Sequence, residues 1–127
     1  MSDNTRFKSF RDLPVWKESL EISSEIFNLT EKLPQVEDFG LTSQMRRSAN
    51  SISANIAEAF GREHLKEKQN FYRYSRGSAF ELQSHLLYGN KVRYFPKEII
   101  EYFDNEIENI IISLNKIIKT LKDMNKK

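Results

Sequence analysis

Residues 39–62 read FGLTSQMRRSANSISANIAEAFGR, and two stripes run through this stretch at steps of three and four residues. Both stripes fit the 3.6-residue period of an α-helix. The apolar stripe consists of Leu41, Met45, Ala49, Ile52, Ile56 and Ala59. The polar stripe consists of Gln44, Arg47, Ser51, Asn55, Glu58 and Arg62. Amide, hydroxyl and guanidinium groups suit a hydrogen-bonded network, either in a core or around a ligand. The stretch therefore predicts a helix with a buried face and a second, ordered polar face.

Three further helices are predicted around this one, and the breaks between them fall at proline and glycine. The four helices cover about 13–33, 41–60, 66–92 and 96–124. Asp12 is the expected N-cap of the first helix, and Pro14 lies in its first turn, where a missing N–H costs nothing. Pro34 ends that helix, and Gly61 is the expected C-cap of the second. Gly77 is unfavourable inside the third helix, by about 1 kcal/mol relative to alanine, so we expect it to face the second helix closely.

The fourth helix has the clearest pattern. Its apolar residues alternate steps of three and four, as in a heptad seam: Ile100, Phe103, Ile107, Ile110, Leu114, Ile117, Leu121 and Met124. Four helices of this length with short connections predict an all-α, antiparallel up-down four-helix bundle. The first and fourth helices carry more apolar residues than one face needs, which favours a ring-like homo-oligomer over a helix that is merely well buried.

Composition limits the class of protein. The 127 residues make one domain, divided into a basic N-terminal arm (1–11), the bundle (12–124) and a frayed tail (125–127). The absence of cysteine excludes disulfides and thiolate sites. The N-terminus lacks the apolar run of a signal peptide, and no stretch is long and apolar enough to span a membrane. These features predict a cytoplasmic protein without membrane association.

The charge is uneven along the chain. The formal net charge is only +2, yet residues 65–95 hold six bases and two acids, whereas residues 96–127 hold six of each. Basic and aromatic residues alternate in the third helix, and exposed tyrosine and arginine can stack on unpaired bases. The candidate nucleic-acid ligands are Lys66, Lys68, Arg73, Arg76, Arg46 and Arg47, with Arg6, Lys8 and Arg11 in the arm. The alternative is a solvated helix face, with Phe71 and Phe80 in the core and Tyr72 or Tyr74 half-buried.

The polar stripe has two interpretations. In the first, Arg47, Asn55 and Arg62 line a surface that meets a phosphate or a base edge. In the second, the stripe forms a structural network with the third helix, because a buried charge must be paired. This network comprises Gln44, Arg47, Asn55, Glu58 and Arg62, with Arg76, Ser78 and Glu81 opposite. The opposite charges favour the structural interpretation.

Residues for catalysis are few. His64 and His85 are the only histidines and lie on different elements, and there is no glycine-rich phosphate loop. Glu58 and Glu81 could serve as an acid–base pair, but the neighbouring arginines favour ion pairs. The Glu-x-x-His pattern of di-iron bundles is missing. The sequence therefore predicts no enzymatic activity, no metal and no cofactor.

Several of these residues together resemble a known family. They are Leu13-Pro-Val-Trp16, Phe39-Gly-Leu41, Gln44-Met-Arg-Arg47, Ser51-Ile52, Asn55-Ile-Ala-Glu58, Gly61-Arg62, Arg76-Gly-Ser78 and Glu81-Leu82. The chain is similar over nearly its whole length to the bacterial four-helix bundle family that includes proteins encoded in intervening sequences of large-subunit ribosomal RNA genes. A more distant likeness is to the accessory proteins of diversity-generating retroelements, which bind RNA and a reverse transcriptase.

The resemblance implies a homopentamer of four-helix bundles with a role in binding nucleic acid and no enzymatic activity. The sequence departs from the family pattern at two positions. Ala59 stands where glycine is common, and Val92-Arg93-Tyr94 replaces the usual Leu-Gly-Tyr after the third helix. The second departure alters the turn into the fourth helix and adds a positive charge.

The predicted function is non-enzymatic binding of nucleic acid, RNA in preference to DNA, by an oligomer with a basic surface. The expected partners are other copies of the chain, in a homopentamer, and RNA or DNA. The alternative is a protein–protein adaptor or scaffold, including a role of the reverse-transcriptase accessory type. An enzyme that uses the polar stripe is a third, less favoured class.

Overall fold

Four α-helices make up most of the described part of the chain. The computed structural model describes residues 7–126. The helices are α1 (Pro14–Thr30), α2 (Leu41–Gly61), α3 (Leu65–Lys91) and α4 (Lys97–Asn125), and short 3-10 helices cover Phe10–Asp12 and Gln35–Glu37. Each helix packs mainly on its neighbours in the chain, and α1 packs on α4 less extensively than on α2. This order confirms the all-α prediction and agrees with an up-down bundle.

The core matches the predicted apolar faces. Every member of the α2 apolar stripe is buried. Six of the eight predicted seam residues of α4 are buried as well, whereas Ile117 and Met124 are only half-buried. Ile111 and Ile118 are buried in addition. The buried face of α4 thus departs from the predicted seam towards the end of the helix. The cause is geometric, because a straight α-helix drifts by about 20° per heptad relative to a 3.5-residue repeat.

Both ends of α1 differ from the prediction. Leu13, not Asp12, is the N-cap residue, and it has no side-chain capping bond. Asp12 instead closes the preceding 3-10 helix, which Ser9 caps by accepting a hydrogen bond from the N–H of Arg11. At the other end, α1 stops at Thr30 rather than at residue 33, because the chain tightens there into i to i+3 bonds such as Leu33 N–H to the Thr30 carbonyl (3.1 Å). The position of Pro14 in the first turn is confirmed.

The prediction that Gly77 lies close against the second helix is wrong. A Cβ added there would meet nothing within 4 Å, and the residue is exposed. The tightly packed glycine of α3 is Gly89, which is buried against the ring of Phe95. Phe95 follows the turn between α3 and α4, so this contact holds the turn against the end of α3.

The same turn contains the only non-glycine residue of the described chain with a positive φ, Arg93 at 73°. The N–H of Arg93 donates to the carbonyl of Asn90, and the next N–H, from Tyr94, donates to the carbonyl of Gly89 (2.8 Å). A side chain in this left-handed conformation is unfavourable by about 1–2 kcal/mol, whereas glycine adopts it readily. The left-handed backbone lies where the resembled family has glycine.

We expect Arg93→Gly to stabilise the protein by about 1 kcal/mol, because the relief of backbone strain exceeds the extra entropy of the unfolded chain. Equilibrium urea unfolding of the two proteins at equal concentration measures this difference. Val92→Gly is the matched control, since Val92 has a negative φ of −91° and glycine there should not stabilise. A loss of stability in Arg93→Gly would show that the arginine side chain makes a compensating contact.

Part of the predicted N-terminal arm lies on the bundle. Phe7 and Phe10 pack against the core, and the ring of Phe10 meets Trp16 edge-on at 5.1 Å. Residues 1–6, which include the candidate Arg6, and residue 127 lie outside the described part of the chain. No helix within residues 7–126 is long and apolar enough to cross a membrane.

Candidate nucleic-acid interface

The predicted ligands on α3 do not share one environment. Lys66 is exposed in the first turn of the helix. Arg73 is half-buried, and its Nη2 donates to Gln69 Oε1 at 3.2 Å. Arg76 is also half-buried and reaches across to α4, where its Nη1 donates to Asn115 Oδ1 at 2.8 Å. Arg76 therefore borders α4, and Lys66 and Arg73, ten and three residues earlier, lie on the same side of α3.

Lys68 has a structural role, which corrects its prediction as a phosphate ligand. Its side chain is only 7% exposed, and Nζ donates to the carbonyls of Ala59 (3.2 Å) and Phe60 (3.0 Å). Those carbonyls lie in the last turn of α2, where few backbone donors follow and where the helix dipole favours a cation. The Ala59 carbonyl also accepts a hydrogen bond from the Arg62 N–H (3.2 Å). Lys68 thus caps α2 from inside the bundle.

Arg46 has the same kind of role at the end of α1. Its Nε donates to Thr30 Oγ1 (2.8 Å), its Nη2 donates to the Phe27 carbonyl (3.2 Å), and its guanidinium lies 3.9 Å above the Phe27 ring. These contacts connect α2 to the last turn of α1. Arg47, one residue later, is exposed and remains a candidate ligand.

The predicted network between the polar stripe and α3 does not form as expected. Asn55 donates to the carbonyl of Ser51 (2.8 Å), and Arg62 pairs with Glu58 (2.8 Å), so these contacts stay within α2. Glu81 contacts His85 within α3. Gln44 and Arg47 are exposed, and Ser78 is half-buried. The physical reason is that Asn55 and Arg62 each find a partner one turn away on α2, nearer than any group of α3.

The connection between α2 and α3 has a cation–aromatic contact instead. The guanidinium of Arg62 lies 4.6 Å above the ring of Phe71. Glu58 and Glu81 do not form a carboxylate pair, since each contacts the basic group in its own helix. Within residues 7–126, no group of three or more His, Asp or Glu side chains is placed to hold a metal ion.

Two hydrogen bonds set the alignment of α3 against α4. Arg76 bonds to Asn115, and about two turns further along α3, Gln83 Nε2 donates to Glu108 Oε2 (2.9 Å). The first turns of α3 therefore run beside the last turns of α4. We call the surface along these two helices the α3–α4 seam.

Sequence reasoning missed the contribution of α4 to this surface. Residues 96–127 have no net charge, but five of their six acids lie between positions 98 and 108, and five of their six bases lie from position 116 onwards. Lys119, Lys122 and Lys126 are exposed. Averaging the charge over the whole segment hid this polarity.

The structure thus brings together six cations at one end of the seam. This basic end comprises Lys66, Arg73, Arg76, Lys119, Lys122 and Lys126. The acids in the same turns are Glu67 and Asp123. Asp123 accepts a hydrogen bond from Lys119 (3.0 Å), and this bond, with the positive charge of Lys119, lowers the pKa of the Asp123 carboxyl. The local charge is strongly positive even though the chain is almost neutral.

The aromatic residues of α3 also differ from the predicted burial. Tyr72 is fully buried, whereas Tyr74 is 55% exposed and touches Phe71 edge-on at 5.3 Å. Phe80, expected in the core, is half exposed. Tyr74 and Arg73 are consecutive, so their side chains point about 100° apart on α3, and Tyr74 lies on the side of Phe71, which contacts Arg62 at the end of α2. The exposed phenol ring is available for stacking.

The fold defines a class, an all-α bundle with one basic end. Within that class, the chain belongs to the 23S rRNA-intervening sequence protein family, whose model matches residues 11–116. A crystal structure of a protein of unknown function from the S23 ribosomal protein family of Bacteroides thetaiotaomicron is similar, with a TM-score of 0.77 and 29% identity. The likeness covers 83% of this chain and 98% of that one. Comparison with the curated proteins gives no match.

Proposed function

We propose that this protein is a non-enzymatic, cytoplasmic oligomer that binds nucleic acid, RNA in preference to DNA, through its basic end. The observation that carries the proposal is the set of six cations, against two acids, along the turns where α3 begins and α4 ends. Phosphate contacts from such a set supply affinity that does not depend on sequence. Exposed Tyr74 adds a stacking platform, which suits unpaired bases and therefore favours single-stranded RNA.

Family membership supports the same proposal. The family's description, 23S rRNA-intervening sequence protein, names an RNA, which makes RNA the first ligand to test. An ordinary explanation of the lysines is that they stabilise the C-terminal end of α4 through the helix dipole. That effect is confined to the last turn, whereas Lys119 lies farther back and Lys66, Arg73 and Arg76 belong to another helix.

We further propose that the protein assembles as a homopentamer, as the family resemblance implies. Several large apolar side chains are about half exposed on α1, α3 and α4, and faces of this kind are usually covered by a partner. Assembly would also raise affinity, since several weakly basic ends bind one RNA together more tightly than one does. The same exposed faces favour an adaptor as the second candidate function.

The test is a pair of matched triple variants. Lys66→Glu, Lys119→Glu and Lys122→Glu alter the basic end. Lys32→Glu, Lys91→Glu and Lys97→Glu make the same change of charge at the opposite end of the bundle. All six lysines are exposed, and each set removes one exposed ion pair, Lys119–Asp123 or Lys97–Glu101.

We expect the first triple to weaken binding of a fluorescent single-stranded RNA by roughly tenfold or more, because each lost phosphate contact removes its share of counterion release. The second triple should bind nearly as the unmodified protein does. Equal losses in both triples would show that only net charge matters and would contradict a site at the basic end. Absence of binding in the unmodified protein, together with retention of a protein partner at high salt, would favour the adaptor.

A further inference from the structure

A groove lies between α1 and α2, away from the basic end. It has a volume of about 530 Å³ and is lined by Leu20, Ser23, Ser24, Phe27, Arg46, Arg47 and Asn50. Leu20 and Phe27 are seven residues apart, so they lie on one side of α1, and each is just under half exposed. Arg47 is exposed and, among the described residues, has no hydrogen-bond or ion-pair partner. The groove is thus an apolar strip with a free cation beside it.

The α3–α4 seam presents a second apolar strip. Phe80 lies on the side of α3 that contains Arg76 and Gln83, and Ile112 lies on the side of α4 that contains Asn115 and Glu108. Since those polar pairs bond across the seam, Phe80 and Ile112 lie side by side at its surface. Leu87 continues the strip one turn beyond Gln83. The three apolar residues are 49–52% exposed.

Acidic groups border this second strip. Asp104 lies one turn from Glu108 on the same side of α4 and is half-buried. Desolvation, and to a lesser extent the charge of Glu108, raises the pKa of the Asp104 carboxyl. No hydrogen bond or ion pair to another described residue compensates this carboxylate. A cation placed beside Asp104 would therefore stabilise its carboxylate.

The two strips match in spacing and in position along the bundle. Leu20 and Phe27 precede the end of α1 at Thr30 by ten and three residues, and Phe80 and Leu87 precede the end of α3 at Lys91 by eleven and four. At 1.5 Å per residue, each pair is separated by about 10 Å and the two pairs lie at nearly equal heights. The charged residues match as well, because Arg47 follows the start of α2 by six residues and Asp104 follows the start of α4 by seven.

We infer that the groove between α1 and α2 binds the α3–α4 seam of a second copy of this chain. Leu20 and Phe27 of one copy would pack on Phe80 and Leu87 of the next, and Arg47 would approach Asp104. Because the contact joins two different faces, it is heterologous, and with parallel bundles it generates a ring when the rotation from one copy to the next closes. All basic ends would then lie on the same side of the ring. The inference rests on the self-association proposed above and adds its interface.

Two variants with exposed substitutions test this interface. Leu20→Asp with Phe27→Asp alters the groove, and Phe80→Asp with Leu87→Asp alters the seam. Light scattering after size exclusion gives the mass, and circular dichroism checks the fold. Each variant alone should have the monomer mass of 15.0 kDa. An equimolar mixture should form a dimer, because one intact groove and one intact seam remain between the two partners.

The control is Val36→Asp with Phe39→Asp, which places the same charges at an exposed loop outside both strips and should leave the assembly mass unchanged. Full assembly by either face variant would overturn the interface while leaving self-association intact. So would a mixture that stays monomeric. A monomeric unmodified protein would overturn both proposals. RNA binding by the groove and seam variants is measured separately, because their basic ends are unaltered.

Discussion

Replacing Gly89 by alanine should destabilise the protein by about 2–3 kcal/mol, as expected for overpacking in a well-packed core. The added Cβ would lie inside van der Waals distance of Cδ2 and Cε2 of the Phe95 ring. That ring cannot easily move away, since Phe95 is 3% exposed and Asn90 Nδ2 donates to its carbonyl at 2.9 Å. Separation of Phe95 from α3 would also open the turn into α4.

Gly77→Ala is the matched control on the same helix. A Cβ there meets nothing within 4 Å, so the higher helix propensity of alanine should stabilise the protein by up to about 1 kcal/mol. Urea unfolding at one fixed protein concentration compares the two variants, because oligomerisation makes apparent stability concentration-dependent. Equal effects of the two substitutions would contradict the packing described at Gly89.

Replacing Lys68 by methionine should cost about 2–3 kcal/mol of unfolding free energy, the range for a lost hydrogen bond to a charged group and the desolvated acceptors that it leaves. Methionine keeps most of the apolar length of the side chain but leaves the carbonyls of Ala59 and Phe60 without the Lys68 ammonium. The effect should appear as a lower urea midpoint with little change in RNA affinity measured well below that midpoint.

Lys66→Met serves as the control for Lys68→Met. Lys66 is two residues earlier and exposed, so its loss should leave the unfolding free energy nearly unchanged and weaken RNA binding instead. The opposite result, with Lys68→Met stable and deficient in RNA binding, would restore Lys68 as a phosphate ligand and contradict its role as a cap of α2.

The number of helices and their buried faces follow from the sequence because burial imposes a period on it. The apolar stripe of α2 is buried throughout, and only the last turns of α4 shift, where the helix drifts from the heptad. Helix ends are less predictable, since Thr30 ends α1 through tightened turns and a contact from Arg46. That contact depends on where α2 lies, which no local pattern specifies.

The candidate site could be predicted only in part, for the same reason. Lys66 and Lys68 look alike in the sequence, but a long basic side chain that points inward can cap a neighbouring helix, whereas one that points outward stays free for phosphate. The lysines at the end of α4 come close to the basic residues at the start of α3 only because the two helices pack antiparallel. Gly77 and Gly89 differ in the same way, since the ring that packs on Gly89 comes from beyond the turn.

The central claim is that the assembled protein binds RNA through its basic end. Its most direct test is the affinity of the unmodified protein for a short single-stranded RNA across a salt series from about 50 to about 200 mM, with the mass of the assembly recorded on each sample. The account predicts that the logarithm of the RNA binding constant falls steeply and linearly with the logarithm of the salt concentration, while the mass of the assembly stays constant. Affinity that does not change with salt, or no binding at the lowest salt by an intact assembly, would contradict it.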